Sequence, residues 1–499
     1  MDELTARVRV NGIERAVAVG TILSDLLDLP LPCGGHGKCG KCKVCAAGDL
    51  SPVTDTERKC LTAEELQRGI RLACRTAVTG DCSVDLLETQ KLGQQIMMQT
   101  STITAPAPAF GQYGVALDVG TTTLAAQLYD RTGIKLAECG ERNPQATWGA
   151  DVISRIESAL HGDLDQLSNA IREAIDGMIR ELAKQARINA KEIDGMTITG
   201  NTAMLYFLTA TSPEALSHAP FQADRLFGET LTANELRLSA LSPQAEIYLP
   251  PCIAAFVGAD TVCAILATNL CEIENALLAD IGTNGEMGLW HSGTLSVCST
   301  AAGPAFEGVG ISMGMNGEAG AIDHVTLQNG QLTAHTIGET APRGICGSGL
   351  IDAVACLLEN ETLDETGLLD DDPTEIAKPV VLIQKDIRMV QLAKSAICAG
   401  IRTLFRTAGL SEDQISAFYI AGGFGSYLNV GSAGRIGLIP DALTAKAKAV
   451  GNAALTGAAM LLLNGDLRQT AASLAKKANV VELSTNPVFA DAYMMGMTF

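Results

Sequence analysis

No run of about 18 uninterrupted apolar residues occurs anywhere in the 499-residue chain, which excludes an ordinary membrane-spanning helix. The opening, MDELTARVRVNG, lacks the basic and apolar regions of a signal peptide. Positive charge is scarce as well. With 36 Lys and Arg against 56 Asp and Glu, the formal net charge of −20 repels phosphate backbones and anionic membrane surfaces alike. Nucleic acid and membrane are therefore set aside as partners, and a cytoplasmic location is expected. No G-x-x-x-x-G-K-[ST] segment is present, so a P-loop nucleotide site is unsupported. What the chain does have is size: 47% hydrophobic residues give two or three compact units room to bury their own cores. Fifteen cysteines, an odd number in a long chain without an export signal, point to free thiols and a metal site rather than a disulfide scaffold. Eleven of them (Cys45, Cys60, Cys82, Cys139, Cys252, Cys263, Cys271, Cys298, Cys346, Cys356 and Cys398) stand singly among apolar residues and are expected to be core packing, a habit compatible with an anaerobic host.

The other four carry a pattern. Two alternating runs around Asn11-Gly12 predict an opening β-hairpin, and Thr21 is placed to cap a short helix, ILSDLL, that Pro30 and Pro32 stop. A glycine-rich loop follows, Cys33-Gly-Gly-His-Gly-Lys-Cys39-Gly-Lys-Cys42. Glycine lets a backbone wrap closely enough to aim N–H groups at cluster sulfides. Thr62 and Glu65 form a capping box that should start a helix ending near Cys74. Cys74 is the preferred fourth ligand over Cys45 and Cys60. A zinc site would pair C-x2-C with a second such pair or with histidines, and neither follows; His36 sits inside the loop and reads as a surface residue near the cluster. The C-x5-C-x2-C spacing and the RLAC74RT context resemble the [2Fe–2S] ferredoxins, in the branch with five residues rather than four between the first two cysteines. The resemblance covers residues 1 to about 88. Residues 89–112, poor in charge and rich in Thr and Ala-Pro, read as a tether of on the order of 70 Å if extended at about 3.1 Å per residue; a segment packed along the next domain is the other reading.

From residue 113 the composition changes. The strand GVALDVG runs into Asp118-Val-Gly120-Thr121-Thr122-Thr123, and 162 residues later ALLADIG runs into Asp280-Ile-Gly282-Thr283-Asn284-Gly285-Glu286. Each is a buried strand ending in a turn with glycine for close approach, N–H and hydroxyl donors for phosphate, and a carboxylate to hold hydrated Mg²⁺. A third segment, FYIA-Gly422-Gly423-Phe424-Gly-Ser, brings a strand into glycines where a nucleoside can lie flat. In this order the three elements resemble the acetate and sugar kinase, Hsc70 and actin superfamily, whose two similar halves close over ATP. Gly347-Ser-Gly349-Leu-Ile-Asp352 resembles that superfamily's connecting helix, although simple helix packing also accounts for Asp352. The fold expected is α/β overall: a β-grasp ferredoxin-like α+β domain at 1–88, the linker at 89–112, and a duplicated actin- and Hsc70-like (ribonuclease H-like) α/β ATPase domain at 113–499.

A ferredoxin fused to such an ATPase, with the phrases TGNTAML (199–205), GPAFEG (303–308) and AGGFGSYLN (421–429), resembles the reductive activators of corrinoid enzymes over nearly the whole chain. Some members carry a further small domain between the two; here only the linker fits. The resemblance implies ATP-dependent return of inactive cob(II)amide to cob(I)amide on the corrinoid protein of a methyltransferase system, with a low-potential electron donor as second partner and a homodimer as a permitted state. It implies a [2Fe–2S] cluster on Cys33, Cys39, Cys42 and Cys74, ATP, and Mg²⁺ held through water by Asp118 and Asp280. Pushing one electron about 0.2 V below a cluster near −400 mV costs about 5 kcal/mol, which gives ATP a reason to be there. Asn201 and Asp151 are candidates near the nucleotide, although helix-surface and turn roles account for them nearly as well. The stretch Cys298-Ser299-Thr300-Ala-Ala-Gly303, read as a loop, is expected to reach the partner's corrin ring with Ser299 or Thr300 near cobalt. Two rivals share the ATPase half: an activator of 2-hydroxyacyl-CoA dehydratases, which would carry a [4Fe–4S] cluster between two subunits, and a small-molecule kinase, for which a ferredoxin has no use. A plain redox-binding module would pass electrons without nucleotide.

Overall fold

The computed structural model describes residues 5–10, 13–27, 40, 42–86, 106–422 and 428–499. They divide into two compact units, one within residues 1–93 together with 144–158, the other within 94–143 together with 159–499.

In the first unit the alternation TARVRV does what period two dictates: Ala6, Val8 and Val10 are buried and the residues between them are exposed. Strand Thr5–Val10 pairs antiparallel with Ile13–Ala18, Val10 opposite Ile13, and parallel with Val78–Leu86. The Asn11-Gly12 turn lies outside the described residues. The five-stranded sheet runs, by strand, Ile13–Ala18, Thr5–Val10, Val78–Leu86, Lys43–Leu50, Ile70–Leu72, with Val8, Val44, Leu72 and Val84 at the centre of its core. This is the β-grasp expected. Two local expectations differ. Thr21 does not cap a helix; its hydroxyl donates to the Ala18 carbonyl at 2.8 Å, and the chain makes only a 3₁₀ turn, Leu23–Leu26. The Thr62–Glu65 capping box forms, with both reciprocal bonds, but its helix ends at Gln67. The chain then enters strand Ile70–Leu72 because that strand must pair with Lys43–Leu50 to close the sheet.

In the second unit, each half of the predicted repeat is built on the same five-strand pattern. Strand Tyr113–Val119 has Thr123–Asp130 and then Lys135–Arg142 antiparallel on one side, and Ile193–Gly200 and Glu246–Leu249 parallel on the other. Strand Ala276–Ile281 has Gly285–His291 and Thr294–Thr300 on one side, and Ala417–Ala421 and Ala447–Gly451 on the other. One extra strand completes each six-stranded sheet, on opposite edges. Residues 106–112, part of the expected tether, are packed here: Phe110 is buried in the core, and the backbone N–H groups of Gly111 and Gln112 donate to the Asp194 carboxylate.

The two halves are joined by helices Ala259–Ala267 and Ala453–Leu463, whose apolar faces share one core with residues of both sheets, including Ala116, Leu278, Val262 and Leu455. They cross so closely that a Cβ on Gly457 would lie 2.0 Å from the Cys263 carbonyl oxygen. The helix expected to make this connection, Gly347–Glu359, instead packs on strand Ala321–Gln328. A Cβ at Gly349 would meet the Ile322 carbonyl at 2.2 Å, and the buried Asp352 receives a bond from Ser432 Oγ at 2.6 Å and faces His324 at 3.1 Å. Of the eleven cysteines expected in the core, Cys82, Cys252, Cys263, Cys298, Cys346, Cys356 and Cys398 are buried; Cys60, Cys139 and Cys271 are half-buried, and Cys45 is exposed on the outer face of its strand.

Candidate functional site: a thiol pair and a two-hairpin cleft

Two of the four expected cluster ligands, Cys33 and Cys39, lie outside the described residues. The other two meet. Cys42 ends the loop just before strand Lys43–Leu50, Cys74 sits in the 3₁₀ turn Ala73–Arg75 that follows strand Ile70–Leu72, and the pairing of those strands brings the sulfurs to 3.2 Å. Two thiolates on one tetrahedral metal stand about 3.7 Å apart for bonds of about 2.3 Å, so the pair fits one iron of a cluster. The bond to Cys74 draws the Cys42 thiol down to about 6 against the opposing effect of burial. Of the competitors, Cys45 Sγ faces the Arg68 carbonyl at 4.0 Å, whereas Cys60 lies against Gly40 of the cysteine loop. Sequence reasoning missed the support beneath Cys74. Glu57, fully buried, accepts from Arg71 Nε and Nη2, from the Leu72 backbone N–H and from Thr76 Oγ1. Burial alone would raise its carboxyl, but the Arg71 guanidinium and the Thr54 and Leu72 N–H groups hold it at about 2.

In the second unit the two hairpin turns are tight. Gly120 N–H donates to the Thr123 carbonyl at 3.0 Å, and Gly282 N–H to that of Asn284 at 2.9 Å. Asn143, fully buried and not foreseen, ties the first turn from both ends: its N–H donates to the Thr122 carbonyl and its Nδ2 to that of Gly120. The hydroxyls of Thr122 and Thr283 come within 3.5 Å of one another, so the hairpins face each other. Asn201 joins them. Its Nδ2 donates to Thr121 Oγ1 at 3.0 Å while its Oδ1 caps helix Thr202–Leu208 through Met204 N–H. Gly285 cannot carry a side chain, since a Cβ would meet Thr300 Oγ1 at 2.8 Å. Gly422, at φ +99°, lies beside the same turn end of strand Ala276–Ile281, where a Cβ would fall 2.5 Å from the Ile281 carbonyl and 2.8 Å from Asp280 Oδ1. Gly423 and Phe424 lie outside the described residues.

Behind the turns stands a carboxylate quartet, of which the sequence argument used Asp118 and Asp280. Asp280 lies directly opposite Glu286 in the hairpin ladder, and Asp260 enters from the first turn of helix Ala259–Ala267. Burial raises Asp118 and Asp280 to about 7, with Asp260 adding repulsion to both. Asp260 itself is raised to about 6 by burial, and Glu286 well above its ordinary value by burial and then by Asp260 and Asp280. Neutral amides moderate two members: Asn452 Nδ2 donates to Asp118 Oδ2 at 2.9 Å from the N-cap of helix Ala453–Leu463, and the Asn284 side chain hydrogen-bonds Glu286. A hard divalent cation suits such oxygen donors. Among the described residues no three His, Cys, Asp or Glu side chains converge closely enough to ligate a metal directly.

One expectation about a neighbouring segment changes. Cys298, Ser299 and Thr300 are the end of strand Thr294–Thr300, not a loop. Ser299 pairs with Glu286 as Glu286 pairs with Asp280, so the three share one face of the sheet. Strand pairing from Gly285 to His291 drew the segment into the ladder. Asp151 caps helix Val152–Ser158 by accepting from Ser154 N–H at 2.8 Å. The residue that fills the space between the hairpins is one no motif flagged. Glu307, in the turn Pro304–Glu307, receives the Thr122 hydroxyl at 2.8 Å and the Thr283 hydroxyl at 2.9 and 3.0 Å.

Family models match nearly the whole length. Residues 8–79 match the 2Fe-2S iron-sulfur cluster binding domain, 113–272 the RACo middle region, and 274–499 the C-terminal domain of RACo, the ASKHA domain. The corrinoid activation enzyme RamQ of Eubacterium limosum is 34% identical over 418 residues, covering 78% of this chain and 70% of that one. The chain belongs to the family of corrinoid activation enzymes. A second relative, the [Co(II) methylated amine-specific corrinoid protein] reductase of Methanosarcina barkeri, is 26% identical over 420 residues, covering 78% and 77%. Among solved structures, a reductive activator for corrinoid, iron-sulfur protein superposes with a TM-score of 0.72 at 28% identity over 99% of this chain and 98% of that one. Within this family the first unit is a [2Fe–2S] ferredoxin domain and the second an ATP-binding ASKHA domain. Among the described residues no helix is long and apolar enough to cross a membrane.

Proposed function

We propose that this chain is an ATP-dependent reductive activator that returns cob(II)amide on a corrinoid protein to cob(I)amide, in support of methyl transfer. The reading is carried by one conjunction: a 2Fe-2S domain and two facing phosphate hairpins in a chain 34% identical to a corrinoid activation enzyme. When bound, a [2Fe–2S] cluster supplies a one-electron relay of low potential. Cys33, Cys39, Cys42 and Cys74 hold it, and Glu57 and Arg71 fix the strand that presents Cys74. In the second unit Gly120, Thr121, Thr122 and Thr123 with Gly282, Thr283, Asn284 and Gly285 cradle the phosphates from the two sides. Gly422, Gly423 and Phe424 receive the nucleoside. Asp118 and Asp280 hold Mg²⁺ through water, with Asp260 and Glu286 completing the acidic wall, and Asn201 positions Thr121. Ser299 stands at the edge of this wall as the residue nearest the partner's cobalt. Closing and opening of the halves about the two crossing helices changes affinity for the oxidised and reduced partner. A low-potential donor supplies the electrons, the protein works in the cytoplasm, and a homodimer is compatible with this scheme.

Anaerobic protein with a reduced cluster, mixed with a candidate corrinoid protein, should convert cob(II)amide to cob(I)amide only with Mg-ATP and only with all four cysteines. Equal conversion without nucleotide would reduce the reading to a redox carrier, and a four-iron spectrum would move it to the dehydratase activators.

A further inference from the structure

We infer that Glu307 is an internal stand-in for the terminal phosphate of ATP, and that its displacement is how the protein tells ATP from ADP. The inference rests on the nucleotide reading of the two hairpins. Thr122 and Thr283 come from the corresponding turns of the two halves, and each aims its hydroxyl at the same carboxylate. An ionised carboxylate is an acceptor-only anion, as is a phosphoryl group, so both compete for the same pair of donors. The two anions also repel at this range, so a nucleotide whose phosphates reach Thr122 and Thr283 must move Glu307 aside. ADP, one phosphoryl group shorter, leaves it where it is.

The turn that carries Glu307 is built so that the movement is felt elsewhere. Ala305 and Phe306, the residues just before it, are buried in the core of the second half with Ile351, Val390 and Ile397. Gly303 and Gly308 bracket the turn at φ +78° and +76°. A Cβ on Gly308 would lie 2.7 Å from the Met315 backbone nitrogen, so the turn and the segment up to Met315 move together. That segment is tied to helix Gln384–Ala408 through Ser312, whose N–H and hydroxyl both donate to the buried Asp386. Strand Thr294–Thr300, whose penultimate residue is Ser299, leads into the same turn. Arrival of the terminal phosphate at Thr122 and Thr283 is therefore passed through Glu307 into a packed element, and loss of phosphate after hydrolysis lets the carboxylate return.

Titration calorimetry on the full-length protein tests this with Mg-ADP and the non-hydrolysable Mg-AMPPNP. In Glu307→Gln, which keeps the shape and removes the charge, AMPPNP should bind about tenfold tighter while ADP changes by about twofold or less. Equal shifts for both nucleotides, no shift, or weaker AMPPNP binding at an unchanged melting temperature would overturn the inference; the last result would make Glu307 a nucleotide-side group. Wild-type protein that folds but binds neither nucleotide would defeat the hairpin reading itself. Should the variant not fold, hydrogen exchange of residues 303–316 in the wild type decides: faster exchange with AMPPNP than with ADP is expected, and equal protection overturns the idea.

Discussion

Both units bury carboxylates, and they treat them in opposite ways. Glu57 in the ferredoxin unit is satisfied on every side, with an arginine, a threonine hydroxyl and backbone N–H groups around it, and its carboxyl is held at about 2. Asp118, Asp260, Asp280 and Glu286 in the second unit crowd one another and are driven upward, two of them to about 7. A buried charge fully paired by the fold serves the fold. A group of buried charges left to repel one another costs stability and is kept for what it binds. The same residue type is thus satisfied by the fold in one region and left to repel its neighbours in the other, and the partners alone tell them apart.

The sharpest break of this comparison is to neutralise one acid on each side. Asp280→Asn should lower ATP-dependent cob(II)amide reduction by about 10² to 10³-fold, the scale of losing a charge that stabilises a transition state, while leaving the nucleotide-free protein as stable as before or more so. Rate assays paired with thermal melts check it; a variant both inactive and strongly destabilised would place Asp280 with Glu57. Glu57→Gln should do the reverse. Leaving Arg71 buried without its counter-charge costs about 3 kcal/mol, read as a lower denaturation midpoint of the ferredoxin unit, while nucleotide hydrolysis by the second unit persists. The third test is acid. Because the Glu57 carboxyl lies below its unfolded value of about 4.3, its contribution is complete above that pH and is lost as pH falls toward about 2. The stability gap between wild type and Glu57→Gln should narrow over that window and stay constant from pH 5 to 7; a gap that widens in acid would contradict the pairing.

Much of this was legible in the chain before its fold was known, and the reason is chemical. Asp118-Val-Gly and Asp280-Ile-Gly announce themselves as a repeated pair, since either one alone could be an ordinary turn, and C-x5-C-x2-C in a glycine-rich loop has few other uses. The cleft's other members depend on partners distant in sequence. Glu57 meets Arg71 only once Ile70–Leu72 joins the sheet, and Glu307 reaches Thr122 across 185 positions. A signal for some of them was present and unused. The repeat extends past the hairpins: Val257-Gly258-Ala259-Asp260 corresponds to Val450-Gly451-Asn452-Ala453, one residue out of step, and Gly200-Asn201 corresponds to Gly422-Gly423. Following it would have named Asp260 and Asn452, and would have placed the connecting helices at 259–267 and 453–463 instead of at 347–359. Ser299 was misread as loop for a local reason, since Ser-Thr-Ala-Ala-Gly has turn composition and only pairing with 285–291 makes it strand.

The smallest predicted effect concerns the amide that bonds Asp118 in the acidic wall. Asn452 and Asn201 cap the helices that follow them in equivalent ways, each accepting a backbone N–H through Oδ1. They differ in what Nδ2 reaches: Asp118 for Asn452, Thr121 for Asn201. Replacing either by Ala loses a cap worth about 1 kcal/mol. Only Asn452→Ala also strips a hydrogen bond from a carboxylate, worth about 1.5 to 3 kcal/mol, so its melting temperature should fall further than that of Asn201→Ala in nucleotide-free protein. Saturating Mg-ATP should close most of the difference, because a cation held by Asp118 replaces what the amide supplied. Equal losses in the two variants would mean that the amide does not moderate Asp118.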